Sequence, residues 1–225
     1  MRLFLIYLVI CAHQNQVVLS GGNNNDKSQA LSKSHFEFSL DLYKTLLGLH
    51  SDQNNLVVSP FSVNLVLSML FMGTSSNSNS SRQLRSIMHF DHMPYVDVHN
   101  GFKNVVNNFD KNYYTTKMNL AHGFYTSSDV TVSPVYDRAL REFYHSNVEH
   151  MDFRNADNSL TQGLINEFID DSTEGIVPEM LEEAPEPDSK LVAVDAMTLG
   201  TKWLFPFDES NTFQKGLFFL PNEER

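Results

Sequence analysis

Cysteine is all but missing from this chain: Cys11 is the only one among 225 residues. No disulfide framework can be drawn from a single thiol. A disulfide-free chain has to be held by its core, and roughly 200 residues suffice for one large domain or two small ones. Cationic side chains are scarce as well, with 16 Lys and Arg against 27 Asp and Glu and a net charge of −11. A surface of that sign repels phosphate backbones and anionic lipid, which argues against nucleic acid and membranes as partners. No apolar run approaches the ~20 residues that a membrane-spanning helix needs. The 10 glycines are scattered. They form no phosphate-cradling loop and no Gly-x-Ser-x-Gly turn, so P-loop and serine-hydrolase chemistry are set aside. No cofactor is expected, and no enzyme.

Near the N-terminus, Arg2 precedes the run Leu-Phe-Leu-Ile-Tyr-Leu-Val-Ile-Cys-Ala at positions 3–12. A positive residue followed by a short apolar stretch is the pattern of a secretory signal. Cleavage after Ala12 or nearer positions 20–22 both fit. Residues 1–22 are therefore expected to be signal peptide and disordered lead-in, with one domain over 23–225 and a secreted, extracellular product. The sequon Asn79-Ser80-Ser81 would accept a glycan in such a pathway.

Spacings of three and four mark amphipathic helices. They appear at Phe36, Leu40, Tyr43 and Leu47, at Phe102, Val105, Val106 and Phe109, at Tyr136, Leu140 and Phe143, and at Leu164, Ile165, Phe168 and Ile169. Ser133-Pro134 suits the start of the third, and Gly175 the end of the fourth. Residues 62–72 are apolar nearly all round and stop at Gly73, which predicts a helix surrounded by protein. Strands are expected over 55–59, 119–126, 148–153 and 190–199. The last of these, Leu-Val-Ala-Val-Asp-Ala-Met-Thr-Leu at 191–199, is apolar on both alternating faces and reads as a strand in the middle of a sheet. Residues 74–81 and the acidic stretch 182–188 read as solvated loops.

His89, His92 and His99 with Asp91 and Asp97 have the residue types of a metal site. They flank Pro94 without a regular element to fix them, and no cysteine assists, so they are read as a polar loop and no metal is expected. Glu182-Glu183 reads as surface charge. Asp195 is different, because its neighbours Val194 and Ala196 belong to the apolar strand. An isolated carboxylate inside a core costs several kcal/mol unless it is paired, hydrogen-bonded or protonated. Either one structural hydrogen bond or a polar cluster beneath the sheet would answer it.

These residues resemble those of the serpin family. Asn55-Leu-Val-Val-Ser-Pro-Phe-Ser-Val63 leading to Gly73-Thr74 is similar to the family's strand into helix B. Leu120-Ala-His-Gly-Phe-Tyr125 resembles strand 2 of sheet A. Phe143-Tyr-His-Ser146 with Asp152-Phe153 resembles the end of helix E and the following strand. Ile165-Asn-Glu-Phe168 through Thr173-Glu-Gly175 resembles helix F with its Thr-x-Gly ending. Most specific is Leu191-Val-Ala-Val-Asp-Ala196 running into Lys202-Trp-Leu-Phe-Pro-Phe207 and Thr212, which is similar to strand 3 of sheet A with the Trp-x-x-Pro-Phe signature. The five motifs stand in the family's order over about residues 35–220.

The resemblance implies an α+β fold, with serpin-like helices packed on a large mixed sheet, truncated here before the C-terminal strands and the reactive-centre loop. It implies a suicide-substrate inhibitor of a serine or cysteine protease, in which a cleaved loop inserts beside strand 3 of sheet A and releases stored strain. A non-inhibitory binding or carrier protein on the same scaffold is the other reading. By the same resemblance Ser59, Ser62, His122 and Asp195 form the shutter under the sheet and Trp203 stands at the breach. Thr173, Gly175, Pro206 and Phe207 are signature residues. Three positions depart from the family pattern: Asp195 and His122 replace asparagines, and Ile176 replaces the lysine after Gly175. The region 96–110 holds only Lys103 as a cation, so heparin binding through that helix is not supported.

Overall fold

The computed structural model describes residues 25–49, 56–109, 116–154 and 159–212. The expected signal segment, with Cys11, lies outside the described residues.

Among the described residues, six α-helices and three strands are arranged as two apolar layers either side of one sheet. The helices are α1 (Asn25–Leu49), α2 (Pro60–Met72), α3 (Asn79–Ile87), α4 (Tyr95–Phe109), α5 (Pro134–Tyr144) and α6 (Ser159–Thr173). The strands are β1 (Thr116–Ser127), β2 (Val148–Met151) and β3 (Leu191–Thr201). The sheet is mixed, in the order β2-β1-β3: β2 runs parallel to β1, and β3 runs antiparallel to it from Thr116↔Thr201 to Thr126↔Leu191. This is the expected α+β class with a mixed sheet, of three strands among the described residues.

Alternation along the strands divides the core. Phe124 faces a cluster built with Leu65, Met69 and Phe71 of α2, Phe102 of α4 and Leu140 and Tyr144 of α5. Ala121, Tyr125, Val194 and Ala196 face the other way, onto Ile165 and Ile169 of α6 with Phe153 and Leu181. The strand expected over 55–59 does not form: residues 56–59 are irregular and end in Ser59, the N-cap of α2, whose side chain accepts from Ser62 N–H. Pro60 takes the first helical turn, where its missing N–H costs nothing. Helix α2 is central, as its lack of a polar face requires.

β3 is apolar on both faces and, as truncation before the C-terminal strands implies, is an edge strand among the described residues. Contact with α2 on one face and α6 on the other supplies that burial, and sequence alternation reports the faces of a strand but not its edges. On α1 the stripe Phe36, Leu40, Tyr43 and Leu47 shares one face as read, but that face is exposed, whereas Leu31, Ser34, Phe38 and Leu46 are buried. The helix carries apolar residues on two sides, so periodicity cannot choose between them. Residues 74–81 are not all loop: Ser78 caps α3 by accepting from Ser81 N–H at 3.0 Å. Finally, His99 does not lie in a polar loop but is buried on α4.

The Thr-x-Gly ending of α6 has a visible cause. Thr173 Oγ1 donates to the Ile169 carbonyl at 2.7 Å and accepts from Val177 N–H at 3.1 Å, tying the last helical turn to the next segment. Glu174 and Gly175 then turn left-handed, at φ 56° and 78°, where glycine carries no steric penalty. Asn166 holds the returning chain, accepting from the N–H of Met180 and Leu181 and donating to the Leu181 carbonyl.

Candidate functional site

The site lies where the start of α2 meets the α2-facing side of β1 and β3. Ser59 Oγ donates to Ser62 Oγ at 3.1 Å, and both side chains are buried. Across the sheet, His122 of β1 stands directly opposite Asp195 of β3. Opposed residues of an antiparallel pair point to the same face with Cβ atoms about 5 Å apart. Both are buried, Asp195 to 1% exposure. Thus the four residues named from the resemblance come together, on three elements.

Asp195 is the unusual member. Neither carboxyl oxygen has a hydrogen-bond partner of good geometry among the described residues. Burial drives its pKa up to about 8, and the nearby Ser62 hydroxyl opposes this only in part. The group is therefore mostly protonated at neutral pH, a neutral donor and acceptor rather than a buried charge. Asp195 thus lies opposite His122 and close to the Ser62 hydroxyl.

From His122 a polar line continues into the helices. His122 Nε2 donates to the carbonyl of Tyr144, at the end of α5, and Ser146 Oγ donates to the His122 carbonyl at 3.3 Å. The Tyr144 hydroxyl meets His99 Nδ1 of α4 at 2.6 Å. The His99 ring stacks on Phe71 with centroids 5.6 Å apart and packs edge-on against Tyr95 at 4.4 Å. Burial, reinforced by Arg85, lowers the His99 pKa to about 4, while burial raises that of Tyr144 well above its ordinary value. Neutral imidazole and intact phenol are thus both maintained at neutral pH. We expect Tyr144→Phe to leave a buried His99 nitrogen without its partner and to destabilise the protein by about 1–3 kcal/mol. Urea unfolding would measure this, and an unchanged midpoint would refute it.

Tyr144 and His99 were missed as site residues in the sequence. Tyr144 was legible only as part of the helix-end motif. Tyr95, His99, Phe102 and Val106 follow one another at spacings of four, three and four, a helical signal that extending α4 backward would have caught. The remaining named residues lie elsewhere. Trp203, beyond β3, is 47% exposed and meets Phe207 edge-on at 5.8 Å. Pro206 and Phe207 are exposed, as are Leu204 and Phe205. Thr173 and Gly175 are at the end of α6, and Asn79 is exposed on the first turn of α3. His89, His92, Asp91 and Asp97 do not converge. Among the described residues no group of three or more His, Cys, Asp or Glu could hold a metal, and no helix is long and apolar enough to cross a membrane.

Comparison with known proteins agrees with this geometry. Residues 33–225 match the family model of the serpins, described as serine protease inhibitors. Ovalbumin of Coturnix japonica is 26% identical over 196 residues, covering 81% of this chain and 50% of the relative. Human Serpin B8 is also 26% identical over 196 residues, covering 87% of this chain and 50% of the relative. The crystal structure of mouse protein-Z dependent protease inhibitor superposes with a TM-score of 0.74 at 25% identity, over 83% of this chain and 49% of that one. The chain spans about half the length of the curated relatives it matches. A family model matched along most of the sequence, carried on the same fold, makes this chain a member of the serpin family.

Proposed function

We propose that this chain is the N-terminal portion of a secreted serpin that inhibits serine-type endopeptidases, with cysteine proteases as the secondary target class. The reactive-centre loop and the strand completing its slot would lie outside these 225 residues. The observation that carries the reading is the edge of β3 that has no neighbouring strand among the described residues, backed by the cluster of Ser59, Ser62, His122 and Asp195. A cleaved loop inserted along that edge would pair its backbone with β3 and pass over the cluster. Such a protein is a suicide substrate rather than an enzyme. It needs no cofactor and no catalytic residue in this part of the chain.

Trp203 at the end of β3 marks the breach where insertion would begin. Pro206, Phe207 and the other exposed apolar residues after it would be covered by the remainder of the fold. A transcript that continues past Arg225 into a hinge of small residues and an exposed loop is the expected result of sequencing. A stop codon there would leave inhibition without support. The other reading is a binding or carrier protein on the same scaffold. It is favoured by one feature, the replacement of two shutter asparagines by His122 and Asp195, which alters the balance between closed and opened sheet.

Export predicts that Asn79 carries a glycan, since the side chain is exposed and sits in an intact sequon. Protein secreted from a eukaryotic host should shift on a gel after treatment with an N-glycosidase, and Asn79→Gln should abolish the shift. An unshifted secreted protein would refute occupancy. Heparin is not expected to bind through α4, whose only cation is Lys103.

A further inference from the structure

The end of β3 away from Trp203 is fastened to the rest of the sheet by charge. β1 ends at Ser127 and turns through Ser128 and Asp129, with Val130 N–H donating to the Ser127 carbonyl at 2.9 Å. Both neighbouring strands are tied to this one turn, each of them twice. On the β3 side, Ser127 N–H donates to the Lys190 carbonyl at 3.2 Å, and Lys190 Nζ donates to Asp129 Oδ2 at 2.8 Å. On the β2 side, Ser128 N–H donates to the Met151 carbonyl at 3.0 Å, and Arg154 Nη2 donates to the same Asp129 oxygen at 2.7 Å. Hydrogen bonds from Lys190 and then Ser127 hold the Asp129 carboxyl down to about 2, so the clasp is charged at neutral pH.

The opposite end of β3 is arranged differently. There Thr201 aligns with Thr116, but the cation beside them, Lys117, pairs with Glu174 just past α6. The ion-pair anchor of β3 therefore sits at the end where an inserted loop would finish, not where it would enter. A strand that takes a new neighbour along its free edge has to keep its register, because a slip of one residue turns every side chain to the other face. For β3 such a slip would carry Asp195 away from Ser62 and His122. One exposed ion pair contributes little, but a carboxylate shared by two cations and backed by two main-chain bonds is a network, the case in which surface charge matters.

We propose that Asp129 is a positioning residue for loop insertion: by gathering Lys190 and Arg154 it pins the far end of β3 and keeps the strand in register while the Trp203 end yields. The role rests on the reading of β3 as the wall of an inhibitory slot.

Two measurements test it. Amide hydrogen exchange on the purified full chain at neutral pH should show residues 191–194 exchanging about two- to fivefold faster in Asp129→Asn, the scale of an exposed ion-pair network. Residues 197–201 should be unchanged, and Asp129→Glu should restore most of the protection. Salt at about 0.5 M should bring the parent to the level of Asp129→Asn by screening the clasp. In a longer product continuing past Arg225, Asp129→Asn should lower the ratio of covalent complex to merely cleaved inhibitor by a similar factor, again rescued by Asp129→Glu. A role confined to stability would shift unfolding and leave that ratio alone. Unchanged exchange at 191–194, exchange that rises equally at both ends of β3, or a complex formed in an unaltered ratio would each overturn the role of Asp129 and leave the inhibitory reading standing. A parent longer product that forms no covalent complex would overturn both.

Discussion

Asp195→Asn should stabilise the protein at pH 8 and flatten its pH dependence between about pH 4 and pH 8. An aspartate in an unfolded chain titrates near 3.9, whereas burial raises the folded value to about 8. Between these values the folded state holds a proton that the unfolded state has lost. The slope of unfolding free energy with pH is then negative: the contribution of the protonated group is complete below about pH 4, declines as pH rises, and is exhausted above pH 8. Each unit of separation corresponds to ~1.4 kcal/mol, so the loss amounts to several kcal/mol at its upper end. Relaxation around the carboxylate would reduce this. A net gain of about 2 kcal/mol at pH 8 would still raise Tm by roughly 4–8 °C for a chain of this size.

Asparagine preserves the shape of Asp195 and cannot ionise, which makes it the informative replacement. His122 faces the same cluster, so the comparison belongs in both the native and the His122→Asn backgrounds. Thermal unfolding followed by circular dichroism from pH 5 to pH 8.5 gives the answer. A variant with an unchanged slope, or one less stable than the parent at pH 8, would show that Asp195 is not held protonated by burial.

What could be read from sequence was whatever depends on one face of one element. The apolar surround of α2, the Ser133-Pro134 start of α5, the turn at Gly175 and the burial of Asp195 all come from short-range chemistry that the residue order records. What failed depends on more distant partners. The stripe containing Phe36 and Leu40 is a sound helical face, but only the packing of α1 on α2 and α4 decides that Phe38 and Leu46 turn inward. The edge position of β3 was legible only through the resemblance, which breaks off before the strand's other neighbour, and not through its alternation. Within the site, the resemblance identified Ser59, Ser62, His122 and Asp195. The alignment of His122 with Asp195 comes from an antiparallel pairing across more than 70 residues, and periodicity does not encode it. The Tyr144–His99 contact joins α5 to α4 and was hidden for the same reason.

An edge strand flanked by helices on both faces has one row of backbone groups and its apolar side chains prepared for a further neighbour. In the proposed mechanism that neighbour is the cleaved loop, and pairing it with β3 provides the free energy that traps an acylated protease. On that reading, residues 23–225 by themselves would supply one wall of the slot and no bait. A longer product, continuing past Arg225 with a loop and the second wall, would contain the whole trap. The difference should be all or none, because a covalent complex survives only if insertion outpaces hydrolysis of the acyl-enzyme.

The most direct measurement is therefore denaturing gel electrophoresis after incubation with trypsin-, chymotrypsin- and elastase-like proteases. The longer product should give an SDS-resistant band at the summed mass with at least one of them, and residues 23–225 alone should give none. A covalent band from residues 23–225, or a longer product that is either ignored or cut as an ordinary substrate by every protease, would contradict the account of β3 as the wall of an inhibitory slot.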